Sequence, residues 1–137
     1  MSYNLRIGNA KISYDSEENE CRIVAEEYRH DNAPHDGSPT DFTNERWPSY
    51  VGWSDFCNSV GLRDLFFNED NGLIINHPGV SSLNNLHKKE IDKAYINFKK
   101  KNLKNKKSEA NYNRLKWLKY WVDWCLKNCD KPILENS

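Results

Sequence analysis

Apolar residues recur along this chain with three different rhythms. In residues 3–29 they come in short β-favouring runs, YNLRI, KISYD and ECRIVAEEYR, separated by a Gly8-Asn9 pair and a SEEN cluster. Partial alternation broken by turn-forming residues predicts three strands of an antiparallel meander with one wet face. In residues 30–48 aliphatic side chains almost vanish, while Pro34, Pro39, Pro48 and an Asp36-Gly37 pair predict a loop. Loops of this length are uncommon in compact domains, and Phe42 and Trp47 within it favour order.

From residue 49 the spacing becomes helical. Ser49 is placed to cap a short helix with apolar positions Tyr50, Trp53, Phe56, Cys57 and Val60, and Gly61 is placed to end it. LRDLFF adds one further turn, LIIN a brief strand, and HPGVSS a break. A helix over residues 85–101 then puts Leu86, Ile91, Ala94, Tyr95 and Phe98 on one face. In the last helix, residues 108–128, Lys116, Lys119, Asp123 and Lys127 fill one narrow arc. Leu115, Trp117, Leu118, Tyr120, Trp121, Val122, Trp124 and Cys125 occupy most of the remaining circle. Exposing three indoles is costly, so this helix is either the central post of the fold or is covered on one side by a second copy. A homo-oligomer formed through this aromatic helix is the expectation. The fold expected is a single α+β domain over residues 1–137: a β-meander in 1–29, a loop in 30–48, and a mainly helical 49–137 packed against the sheet.

Composition narrows the setting. The chain has 137 residues, 37% hydrophobic and 29% charged, with five Trp, seven Tyr and five Phe that need burial, so wholesale disorder is excluded. No apolar run approaches the roughly 20 residues that span a bilayer, and MSYNLRIGN lacks the basic and apolar regions of a secretion signal. A cytoplasmic protein without a membrane partner is expected. Cys21, Cys57, Cys125 and Cys129 make no CxxC pair and no disulfide-dense spacing, so reduced thiols are the simplest reading. The formal charge is zero, yet residues 1–72 hold 6 Lys/Arg against 14 Asp/Glu, and residues 73–137 hold 14 against 6. Halves of charge −8 and +8 can attract within one fold or head to tail between copies. The tract KKKNLKNKK at residues 99–107 reads as a solvated helix end and linker, since no aromatic residue interleaves it, and a nucleic-acid partner is not expected.

Residues 30–39 write one pentad twice, HDNAP and HDGSP. The prolines exclude the helical His-Asp pair of metal-dependent phosphohydrolases. His30, Asp31, His35, Asp36, Asp41 and Glu45 still offer nitrogen and oxygen donors, with His77 or His87 more distant, but no HxH or HExxH spacing fixes two ligands on one face. The simpler reading has Asp31, Asp36 and Asp41 closing Asx-type turns, with no metal and no cofactor. Cys57 lies among apolar helix positions, Ser38 and Ser49 lack a nucleophile elbow, and the six glycines are too scattered to cradle phosphate.

What remains is a mixed set. Asp41, Thr43, Asn44, Glu45, Arg46, Trp47, Tyr50 and Trp53 bring hydrogen-bonding groups, one guanidinium and three large rings close together. Rings stack on a planar ligand, Arg pairs with phosphate, and amide or carboxylate groups accept from hydroxyls. The expectation is a non-catalytic small-ligand binding protein for a nucleotide-like molecule, held by Arg46, Trp47, Tyr50 and Trp53 with His30, His35 and Asp41 lining the pocket. Two alternatives stay open. One is a metal-dependent phosphodiester or nucleotide hydrolase using His30, Asp31, His35, Asp36 and Asp41. The other is a protein–protein interaction module built on the last helix.

The blocks TDFTNERWPSYVGWSDFCNSVGLRDLFF and LIINHPGVSSL resemble stretches of short phage- and prophage-type proteins. That resemblance covers about a third of the chain and implies no fold, activity or site residue. It implies an accessory phage role, such as sequestering a nucleotide signal of host defence, which requires affinity rather than turnover.

Overall fold

A computed structural model describes residues 2–137. It is an α+β fold in which one curled antiparallel sheet is covered on one face by helices. The elements in chain order are β1 (Leu5–Asp15), β2 (Glu20–Ala25), β3 (Glu45–Arg46), α1 (Tyr50–Val60), α2 (Arg63–Phe67), β4 (Gly79–Ser82), α3 (Asn85–Lys101), α4 (Lys106–Asn128) and β5 (Pro132–Asn136). The strand order is β2-β1-β5-β4, with the short β3 also pairing β1.

The predicted three-strand meander is corrected. YNLRI and KISYD are one strand, and Gly8-Asn9 marks not a turn but the place where β1 changes neighbours. Residues 5–9 pair with β5, and residues 10–15 pair with β2. Glycine is required there because a Cβ on Gly8 would sit 2.6 Å from the Glu26 carbonyl oxygen. Residues 49–137 are mainly helical, but the strands within them are not where the spacing placed one. LIIN is not a strand: Leu73 and Ile74 donate their N–H groups to the Leu65 and Phe66 carbonyls at the end of α2. The strand lies instead in HPGVSS, and the C-terminal PILEN enters the middle of the sheet, pairing Leu5 with Asn136 and Ser82 with Ile133.

The helices follow the sequence closely. Ser49 accepts from the Gly52 N–H as N-cap of α1, and Gly61 closes it in the left-handed region at φ 79°. In α3 the face carried by Ile91, Ala94 and Phe98 is buried, whereas Leu86, placed on that face by its spacing, is 73% exposed in the first turn.

Helix α4 is the central post. Leu115, Trp117, Leu118, Trp121, Val122 and Cys125 are all buried within their own chain, against β1, α1 and α3. Each large side chain so buried contributes about 1.5–3 kcal/mol. The need for a second subunit to cover this helix therefore lapses. Its polar arc is not simply wet either: Lys119 bonds Asp92 at 2.7 Å and Asp123 meets Lys88 at 3.1 Å, an ion ladder that ties α4 to α3. Among the described residues no helix is long and apolar enough to cross a membrane.

Candidate functional site

The loop of residues 30–48 folds back across β1 and α4 and is held by its own polar groups. Asp41 is the organiser. Its carboxylate accepts from the backbone N–H groups of Asp36 (2.9 Å), Gly37 (2.8 Å) and Ser38 (3.2 Å). Those bonds favour its charged form and hold its pKa down at about 2. Asp41 is thus spent on the loop, as the turn-forming reading required, and lines neither of the two clefts that flank Trp47. Asn44, buried at 1% exposure, fastens the loop to the sheet: its amide nitrogen donates to the carbonyls of Ile7 (2.8 Å) and Glu26 (2.7 Å), and its oxygen accepts from the Tyr28 N–H (2.9 Å).

Both histidines of the doubled pentad pack on rings. His30 lies 4.6 Å from the Trp121 ring and 4.7 Å from Trp124, with Nδ1 2.9 Å from the Tyr120 hydroxyl. His35 stacks on Phe42 at 4.6 Å. Neither lines the cleft that Arg46 shares with Trp47, although His35 borders a small hollow with Asp36 and Arg46, and among the described residues no group of three or more His, Cys, Asp or Glu could hold a metal ion. The donor set considered for a metal-dependent hydrolase is therefore dispersed. Tyr50 also points elsewhere, packed with Tyr3 at 4.3 Å and His77 at 5.1 Å.

Arg46 and Trp47 do meet at an opening. A cleft of about 210 Å³ is lined by Asp36, Thr40, Arg46, Trp47, Trp53 and, from α4, Arg114. It adjoins a second cleft of about 390 Å³ in which Arg6, Arg29, Glu27 and Glu45 appear. Pro39, Thr40 and Trp47 belong to both walls, so the indole stands between the two compartments. Trp47 is 55% exposed, yet its orientation is set: its Nε1 donates to Glu45 Oε2 at 3.0 Å, and Glu45 is paired with Arg6 at 2.6 Å. Trp53 is different. It is 1% exposed, its ring packs on Phe56 and Phe66, and it offers no face for stacking. Its indole N–H nevertheless finds no acceptor.

The two guanidiniums at this cleft have carbonyl partners instead of carboxylates. Arg46 Nη1 donates to the carbonyls of Thr40 (2.7 Å) and Glu45 (2.8 Å), and its guanidinium lies 5.4 Å from the Trp117 ring centre. Arg114 Nη1 donates to the Gly52 carbonyl at 3.0 Å. Neither forms an ion pair among the described residues. Burial pushes the pKa of both below the ordinary arginine value, with Asp36 partly offsetting it. The Asp36 carboxylate acts on both cations and Asp41 also acts on Arg46, but neither carboxylate makes an ion pair with them. Arg114 was not legible from sequence, because nothing local links residue 114 of a helix to a loop at residue 46.

A larger cleft, about 520 Å³, runs between α2, β4 and the start of α3. Its ionisable lining is Asp64, Glu90 and His87, the last kept below its ordinary pKa by burial and already accepting from the Asn84 N–H. With no cation in its wall it does not suit an anion. No family model, curated protein or solved structure matches this chain.

Proposed function

We propose that the protein is a non-catalytic receptor for a small, planar, anionic molecule of nucleotide type. The observation that carries this reading is the pair Arg46 and Arg114, two part-buried guanidiniums without carboxylate partners, opening beside the exposed indole of Trp47. A phosphate in the smaller compartment would accept from Arg114 and Arg46 beside the Trp53 side chain. A base in the larger compartment would stack on Trp47 and donate to Glu45 or Glu27. Small-molecule sites commonly enclose roughly 300–1,000 Å³, a range the two joined clefts reach. Each group named here has a binding role, cation to phosphate and indole to base, so capture is the role this reading assigns.

Titration calorimetry with nucleoside monophosphates, free nucleosides and inorganic phosphate tests this. Arg46 is a poor variant, because its loss leaves the Thr40 and Glu45 carbonyls without a donor. Arg114→Gln should weaken phosphate-bearing ligands by about 1.5–3 kcal/mol, the value of a charged hydrogen bond, and leave nucleosides unchanged. Trp47→Ala should weaken both by about 1–3 kcal/mol through lost stacking. Native protein that binds none of them, or variants that bind as tightly as native, would remove the proposal.

A further inference from the structure

Two patches of opposite charge lie at opposite ends of α4, and neither finds a counterion among the described residues. One is the tip of the β1–β2 hairpin, where Asp15, Glu17, Glu18 and Glu20 are all exposed. The other is the turn between α3 and α4, where residues 99–107 hold six lysines and no acidic residue. Among the described residues none of these side chains enters an ion pair.

Their separation follows from the packing. β1 runs alongside α4 in the same direction, because β5 leads back from the C-terminal end of α4 antiparallel to β1: Lys131, just past that end, bonds Asn9 and Ala10, and β5 then returns from Pro132 opposite Asn9 to Asn136 opposite Leu5. The hairpin therefore continues past the C-terminal end of α4, while the lysine turn leads into its N-terminus. At 1.5 Å per residue, the 23 residues of α4 set its ends about 34 Å apart. That is several times the screening length of about 8 Å at physiological salt, so the patches do not neutralise each other within one molecule.

Each patch also carries apolar side chains in solvent. Cross-strand pairing of Ile12 with Ile23 and of Tyr14 with Cys21 places all four on one hairpin face, with Ile12 77% exposed. Beside the lysines, Ile96 and Leu103 are each 53% exposed. Apolar surface rimmed by charge marks an association site, and here the rims are of opposite sign.

The geometry points to a second copy of this chain as the partner. The acidic hairpin of one molecule docks on the lysine-rich α3–α4 turn of the next, and Ile12, Tyr14 and Ile23 meet Ile96 and Leu103. Because the two surfaces differ, the contact is head to tail and propagates into a ring or an open chain instead of stopping at a symmetric dimer.

Sedimentation velocity over a concentration series at low salt is the test. The weight-average mass should rise above 16.1 kDa with concentration and fall back at high salt. Two charge reversals probe the surfaces: Glu17→Lys with Glu18→Lys and Glu20→Lys at the tip, and Lys104→Glu with Lys106→Glu and Lys107→Glu at the turn. Residues 106 and 107 sit in the first turn of α4, where carboxylates suit the helix dipole, and circular dichroism checks that both variants fold. Each variant alone should stay monomeric. An equimolar mixture should associate again, since the native tip of one variant can dock on the native turn of the other. A native protein that is monomeric throughout, association that survives either reversal, or a mixture that stays monomeric would overturn the inference. So would a mixture that stays monomeric while the native protein shifts only with an added oligonucleotide.

Discussion

Asn44 is where the loop carrying Arg46 and Trp47 is fastened to the sheet, and its removal gives a quantitative test of that attachment. Its side chain makes three hydrogen bonds of 2.7–2.9 Å, two donated to carbonyls and one accepted, at a site 1% exposed. At about 1 kcal/mol net per bond, and more for buried groups left unpaired, Asn44→Ala should cost about 3–5 kcal/mol. A domain of this size has about 5–15 kcal/mol in all, so the variant should fold but sit close to the margin. The assay is urea unfolding followed by tryptophan fluorescence. Asn128→Ala serves as control, because that exposed amide makes one bond, to the Trp124 carbonyl, and should cost less than about 0.5 kcal/mol. Asn44→Asp sharpens the test. It keeps an acceptor for the Tyr28 N–H but turns a charged oxygen toward the Ile7 and Glu26 carbonyls, which raises the pKa of the new carboxyl in the folded state. Its penalty should be full above that raised pKa and shrink as the pH falls through it, when the protonated group regains a donor. Taking the difference from Asn44→Ala at each pH cancels the titrations the two share. A loss below about 1 kcal/mol for Asn44→Ala would refute the attachment.

Other outcomes follow from individual contacts. Asp41, held at about 2, lies below its unfolded value of about 3.9, so its contribution is complete above pH 4 and is lost as the pH falls toward 2; Asp41→Asn should flatten that part of an acid-unfolding curve. Asp36→Asn removes the carboxylate that acts on both Arg46 and Arg114 and should tighten binding of a nucleoside monophosphate severalfold by calorimetry, whereas unchanged or weaker affinity would count against an anion in that cleft. Burial pushes the Cys57 thiol up to about 12 and raises that of Cys125, so a thiol reagent should label exposed Cys21 at once and those two only after denaturant is added. Trp117→Phe removes the indole donor to the Thr43 carbonyl and should cost about 1–1.5 kcal/mol in urea unfolding.

The parts of this fold that were legible in the sequence are those governed by local rules. Helical spacing with Ser49 and Gly61 at its ends located α1, and the ladder of Ile91, Ala94 and Phe98 located α3. The aromatic circle of α4 was also readable, though not which of two covers it takes; the chain's own sheet and helices supply the cover. Long-range pairing was not legible. PILEN has little strand character by itself and becomes a central strand because Leu5 and Ile7 offer it an apolar face more than a hundred residues away. Gly8-Asn9 has the form of a hairpin turn, and only the approach of the Glu26 carbonyl shows why a glycine sits inside a strand. At the cleft, residue type picked out Arg46 and Trp47, which line it. It also drew in Tyr50, which packs on Tyr3 and His77 instead, since rings that pack a core have the same composition as those that line a pocket.

The claim on which the account rests is that Trp47, with Arg46 and Arg114, faces a ligand. The most direct measurement is a proton–nitrogen NMR titration of the native protein with nucleoside monophosphates, read at the indole N–H signals of its five tryptophans. The account predicts that Trp47 and Trp53 shift together and saturably while Trp121 and Trp124 stay in place. Shifts confined to Trp121 or Trp124, or none at any indole, would contradict it.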